Sequence, residues 1–285
     1  MVYRFIDDNK DTFGTRWLLK KFHIYPNAYY NYRKNKKDTY KKTKQHICEI
    51  IKQIYYTNHR VIGHRTMKIF LARKGIFLSK TTIHKYMNVE LHLHAVVMRK
   101  KATKRKEEGN QNFPNLLNQN FTVSGKNKVW CTDFTYISLA NGTMKYNCSI
   151  LDLYDRSIVA TMTSNCMNAE LAIATLLQAL KNEKPKTEII LHSDQGCQFT
   201  SQTFVNFCKS NRVLQSMSKV GCPYDNAPME RFYNTLKQEL IYRTSFVSED
   251  ALKEAINHYV FIWYNHIRPH SYNNGMTPWE ARYSV

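Results

Sequence analysis

Apolar residues fall at helical spacing over Thr15–Phe22, and His23-Ile-Tyr-Pro26 then breaks the pattern, with a proline placed to open a second helix over Asn27–Arg33. Lys34–Lys44 reads as a charged connector. Helical periods return over Gln45–Tyr56, Gly63–Lys74 and Ser79–Met87, with Ser79 as an N-cap after the turn Lys74-Gly75-Ile76. From Lys128 the texture changes. Val129–Leu139, Met144–Leu153 and Ser157–Thr163 are rich in β-branched and aromatic residues, and Asn141-Gly142 marks a hairpin between the first two. A helix (Asn168–Asn182), a strand (Glu188–His192), a helix (Ser201–Asn211) and a strand (Val213–Ser216) follow, then helices over Pro228–Tyr242 and Ser248–His266. Three antiparallel strands followed by alternating helix and strand predict a mixed five-stranded α/β sheet with helices on its faces, preceded by an all-α region.

Charge divides the chain at the same place. Residues 1–126 carry 27 Lys and Arg against 8 Asp and Glu; residues 127–285 carry 15 against 14. A basic half of this size is the electrostatic footprint of a polyanion partner, and double-stranded DNA is the one expected. Within that half, two helices joined by a short glycine turn match a helix-turn-helix outline, although plain helical bundles share it. Lys80, Thr81, Thr82, His84 and Lys85 on its second helix are the candidate DNA contacts. Residues 101–126 read as a linker that begins in the basic run Arg99–Lys106, either solvated or lying along a phosphate backbone.

Composition narrows the class further. Hydrophobic residues make up 43% of the 285 and aromatics 13%, enough for a packed core. No apolar run approaches a membrane span, and the N-terminus lacks the apolar stretch of a signal peptide, so the expected address is cytoplasmic with no membrane partner. Seven cysteines lie without close pairs, none at zinc-finger spacing with histidine, and are expected to be reduced thiols.

Three acids stand in distinctive contexts: Trp130-Cys-Thr-Asp133-Phe-Thr-Tyr136, His192-Ser-Asp194-Gln-Gly196 and Pro223-Tyr-Asp-Asn-Ala-Pro-Met-Glu230. The predicted elements put Asp133 inside the central first strand and Asp194 just past the fourth, where ligands gather in open α/β sheets. Glu230 falls near the start of a helix, with Asn226 as its cap and Pro228 in its first turn. Taken singly, a strand Asp is more often paired and a first-turn Glu more often complements the helix dipole. Taken together, they suit a hard, oxygen-seeking cation such as Mg²⁺ or Mn²⁺ and two-ion phosphoryl chemistry. Lys237, two helical turns after Glu230, either meets DNA phosphate beside them or is a plain surface lysine.

These motifs, with Phe232…Leu236-Lys237-x-Glu239, Tyr264-Asn265…Arg268-Pro-His270 and Gly275-x-Thr277-Pro278, resemble the second-reading-frame product of the IS-three family of bacterial insertion sequences, a relative of retroviral integrases. The resemblance implies an RNase H-like integrase core with Asp133, Asp194 and Glu230 as catalytic, metal-binding acids, two Mg²⁺ or Mn²⁺ ions, and strand cleavage and transfer at the element's ends. It also implies a homo-oligomer on DNA and a first-reading-frame partner or fusion. The expected domains are a helical segment (1–44), a helix-turn-helix-like domain (45–100), the linker (101–126), the catalytic core (127–245) and a helical extension (246–285). A nuclease that cuts without joining, and a regulator that binds DNA with a dead core, are the rival readings. The Tyr264–Pro278 segment either caps the core's edge or touches DNA.

Overall fold

The computed structural model describes residues 1–34, 36–96, 113–219 and 221–284; the basic run Arg99–Lys106 and most of the first half of the expected linker lie outside them. The chain forms two compact units, Met1–Ala95 and Val96–Val285.

The first unit is wholly helical. Helices α1 (Val2–Phe13), α2 (Thr15–Lys21) and α3 (Pro26–Arg33) close over Ile6, Leu18, Leu19 and Tyr29. The Tyr29 hydroxyl donates to Asp7 at 2.8 Å. The expected charged connector is not one: α4 runs unbroken over Lys36–Thr57. Lys, Thr and Tyr without Gly or Pro offer nothing to stop a helix, and tertiary contacts hold this end. Lys44 pairs with Glu90 at 2.6 Å, and the Tyr40 and Tyr86 hydroxyls meet at 3.3 Å. Helix α5 (His64–Arg73) turns through Gly75, at φ +75°, into α6 (Lys80–His84), which runs on as a π-helical turn over Lys85–Glu90. Ser79 caps α6 by accepting from the Thr82 amide at 3.0 Å. Met67, Leu71, Ile83 and Met87 are fully buried here.

The second unit is built on five strands: β1 (Val129–Ser138), β2 (Met144–Asp152), β3 (Ile158–Ser164), β4 (Ile189–Ser193) and β5 (Val213–Met217), in the order β3-β2-β1-β4-β5. β1 and β2, joined at the Asn141-Gly142 turn, pair antiparallel, as do β2 and β3, while β1–β4 and β4–β5 pair parallel. Strand β1 is therefore central, as expected. Helices α7 (Ala169–Glu183) and α9 (Gln202–Ser210) put Leu176, Ala172, Phe204 and Cys208 against Trp130, Ile150, Ile189 and Leu191. Between β4 and α9 lies one short helical turn, α8 (Cys197–Thr200). Helix α10 (Ala227–Glu239) packs on β1, followed by α11 (Glu249–Asn257), a π-helical stretch over His258–Ile267 and α12 (Pro278–Tyr283). No helix among the described residues is long and apolar enough to cross a membrane. All seven cysteines are free thiols, four of them buried.

The Tyr264–Pro278 segment packs. Asn265 accepts from the Ile158 amide at 3.0 Å and donates to its carbonyl at 2.9 Å, so one side chain stands in for a neighbouring strand at the edge of β3. Arg268 grips Glu239 through Nε and Nη2, each 3.0 Å from Oε1, and Tyr259 and Trp263 donate to the same carboxylate. Farther on, Arg282 is 2% exposed and faces Asp152 at 3.0 Å, Asp155 at 2.5 Å and Glu183. One guanidinium thus serves three carboxylates, and removing it would leave them uncompensated.

Candidate active site

Alternation along β1 sends Trp130 and Phe134 into the α7 core and gives Asp133 the opposite parity. Asp133 is half-buried, and its Oδ1 accepts from the Phe134 amide at 2.7 Å. Burial pushes its carboxyl well above the usual range; the nearby charges of Asp194 and Glu230 push the same way, and Lys237 opposes them. Three carboxylates and one lysine, distant in sequence, thus share one electrostatic neighbourhood. Burial also raises the Glu230 carboxyl and lowers the Lys237 ammonium, the latter partly offset by Asp133.

Asp194 follows the last residue of β4 directly. Its Oδ1 accepts from the Gly196 amide at 3.0 Å, which turns the carboxylate back over its own loop. Gly196 is expected as a glycine that lets the backbone approach the site, and it is one by space rather than by dihedral. Its φ of −57° suits any residue, but a Cβ there would lie 3.0 Å from Asp194 Oδ1 and 2.5 Å from Gln198 Oε1. Beneath, the fully buried His192 joins the Ser216 hydroxyl at 2.9 Å and the Ser218 hydroxyl at 3.1 Å, tying β4 to β5 and the loop after it. Burial lowers its imidazole to about 4, so it serves here as a neutral strut.

Glu230 lies in the first turn of α10, an exposed residue whose carboxyl is only partly desolvated. Asn226 occupies the N-cap position, but its side chain makes no cap bond. Instead its Nδ2 donates to the Thr132 carbonyl at 3.1 Å, the residue before Asp133. Tyr233, one turn after Glu230, donates to the Asp133 carbonyl at 2.8 Å. Two polar side chains of α10 and its cap therefore bracket Glu230 and bolt it to the β1 backbone on either side of Asp133. Sequence reasoning passes over Tyr233, because an aromatic at that helical spacing reads as core.

Among the described residues, no three His, Cys, Asp or Glu side chains converge as a ready metal shell. Carboxylate donors nonetheless suit a hard cation, which takes one or two carboxylates and fills its shell with water and substrate phosphate. The other sequence candidates stand apart. Lys80, Thr81, His84 and Lys85 are exposed on α6 and the turn after it, in the first compact unit, while Thr82 is half-buried and spends its hydroxyl on Ser79 at 2.9 Å.

Comparison with known proteins adds lineage to this geometry. The integrase core domain family matches residues 123–223, and a second integrase core domain family matches residues 211–278. The transposase for insertion sequence element IS904 of Lactococcus lactis is 34% identical over 226 residues, covering 79% of this chain and 88% of its own. The transposase InsF for insertion sequence IS3A of Escherichia coli is 27% identical over 286 residues, covering 98% and 97%. A simian T-cell lymphotropic virus intasome, solved with a PP2A regulatory subunit, aligns over 82% of this chain and 74% of its own, at 17% identity and a TM-score of 0.48.

Proposed function

Because the chain belongs to the IS-three family of insertion-sequence transposases, we propose that Asp133, Asp194 and Glu230 are the carboxylates at which it cuts and joins DNA. The observation that carries this is geometric. Asn226 and Tyr233 hold the helix of Glu230 on the strand of Asp133, at 3.1 Å to the Thr132 carbonyl and 2.8 Å to the Asp133 carbonyl, and the neighbouring parallel strand leads directly into Asp194. The upward push on the Asp133 carboxyl agrees with it. Like charges gathered at a partly buried site cost stability in the folded protein, and a site that binds cations turns that cost into affinity.

The reaction is a pair of phosphoryl transfers. Water attacks the phosphodiester at an element end and frees a 3′-OH, which then attacks a second strand. Neither step needs a covalent bond to the protein, so catalysis is positioning and charge neutralisation. A pair of Mg²⁺ or Mn²⁺ ions held by the three acids would activate the attacking oxygen and offset charge on the leaving one. Asp133 is the least mobile of the three, fixed in the central strand, and Asp194 is turned into place by the Gly196 amide. Glu230 is carried on a helix bracketed by Asn226 and Tyr233. Lys237, whose ammonium is partly desolvated, is suited to a backbone phosphate beside the acids. The wider assembly is part of the same proposal: several copies on double-stranded DNA, joined or fused to a first-frame product, in the bacterial cytoplasm.

The test is cleavage and strand transfer on a labelled duplex bearing the element's own end, with Mg²⁺ or Mn²⁺ supplied. Glu230→Gln and Asp194→Asn should each lower both products by roughly a hundredfold or more while duplex binding stays intact. Cleavage that survives either substitution would remove that residue from the set.

A further inference from the structure

The polar stretch before β1 forms a strap over the core. Phe113 packs into the α7 core, the Pro114 carbonyl accepts from the Met217 amide at 3.2 Å, and the Leu116 amide donates to the Ser216 hydroxyl at 2.9 Å. The strap therefore lies along β5, at the edge of the sheet. Two of its side chains then reach past the strand. Asn115 Nδ2 donates to Asp225 Oδ2 at 2.8 Å, and Gln119 Nε2 donates to Asp225 Oδ1 at 2.9 Å. Asp225 is 2% exposed and also accepts from the Lys219 amide at 2.9 Å, which closes the loop between β5 and α10 on itself. Although burial works against its charge, these donors hold the carboxyl below its ordinary range, so it is an anion here.

Asp225 belongs to the same motif as Glu230, yet its carboxylate is fully engaged by amides and is not aimed at the acidic set. The next residue, Asn226, is the one that grips the Thr132 carbonyl beside Asp133. Glu230 follows one helical turn later.

We propose that Asp225, clamped by the strap residues Asn115 and Gln119, is a positioning residue for Glu230. The clamp sets where α10 begins, and through Asn226 it sets the register of Glu230 against Asp133. The inference rests on the acidic set being the site of DNA cleavage. Its mechanical part, the ordering of the first turn of α10, is independent of that reading.

The experiment uses the full chain and three variants: Asp225→Asn, the double variant Asn115→Ala/Gln119→Ala, and the exchange Asn115→Asp/Asp225→Asn, which restores one donor–acceptor pair with the roles reversed. Hydrogen exchange is measured without metal, and cleavage of the element-end duplex is measured across a Mg²⁺ titration. The clamp predicts faster exchange confined to residues 221–233 in the first two variants, and cleavage lower by roughly ten- to hundredfold. It also predicts partial recovery of both in the exchange variant. Exchange raised evenly across the core, or Asp225→Asn cleaving like wild type, overturns the proposal. If Asp225→Asn does not fold, the strap double variant, which leaves Asp225 in place, decides by the same readings. A wild-type chain that never cleaves would instead count against the transposase site, while the exchange pattern still scores the clamp.

Discussion

Gly196 leaves little space beside the Asp194 carboxylate. A methyl group there would press on Asp194 Oδ1 at 3.0 Å and on the buried Gln198 amide oxygen at 2.5 Å, so one of them must move. Gly196→Ala should therefore leave the unfolding midpoint nearly unchanged, because its φ of −57° is open to alanine. Cleavage should fall by roughly ten- to hundredfold, since a displacement on the order of 1 Å in a reacting constellation costs about that much. Activity assays beside thermal melts check it, and an alanine variant with full activity would show that Gln198 alone gives way. The expectation of a glycine at this place is legible in the string His-Ser-Asp-Gln-Gly. The cause, contact with a carboxylate rather than a left-handed backbone, appears only when the loop is folded.

At the scale of elements, the C-terminal segment closes the sheet with polar side chains rather than with another strand. Asn265 satisfies the Ile158 edge, Thr277 and Glu280 form a capping box on α12, and His270 sits in the wall against the Tyr264 ring at 4.6 Å. Burial, with the Arg268 charge, lowers the His270 imidazole to about 3. A histidine held neutral in the fold contributes stability that is present above its unfolded pKa of about 6.5 and is lost as pH falls towards its folded value. Between pH 8 and pH 5 this group alone should cost about 2 kcal/mol. Denaturant unfolding across that range should show a shallower acid slope in His270→Gln than in wild type. His192, lowered to about 4 in the same direction, supplies a second share that the variant retains. Equal slopes would mean that His270 is reached by water.

Along the whole chain, charge is unevenly divided. The excess of basic residues lies in residues 1–126, and the acidic set lies in the near-neutral residues 127–285, within the second compact unit. Lys80 and Lys85, exposed on and just after α6, are proposed to meet phosphate rather than base. Replacing both by alanine should weaken duplex binding to a similar extent for matched and scrambled sequences. It should also flatten the slope of log affinity against log salt by about 2, one for each phosphate that is no longer neutralised. A loss confined to the element's own end sequence would instead mark them as readers of bases.

Much of this was legible along the chain, for reasons that are local. Runs of β-branched and aromatic residues between turn signals, and the period of 3.6, are read locally, so every strand of the sheet and the helices after it stand close to where the pattern puts them. Ser79, Asn168 and Ser248 each cap a helix because a short polar side chain beside a chain reversal finds the nearest free amides. Local rules fail where a partner is remote. Lys34–Lys44 reads as a connector until Glu90 and Tyr86 are brought to it. Asn226 reads as a cap until the Thr132 carbonyl, 94 residues away, claims its amide. Residues 113–119 read as linker until β5 and Asp225 give their backbone and amides partners. The choice of Asp133, Asp194 and Glu230 as candidate acids came from the sequence. The hydrogen bonds that hold the helix of Glu230 to the strand of Asp133, and those that bind Asn115 and Gln119 to Asp225, were decided only by tertiary structure, because hydrogen bonds and buried charge depend on distance in space and not along the chain.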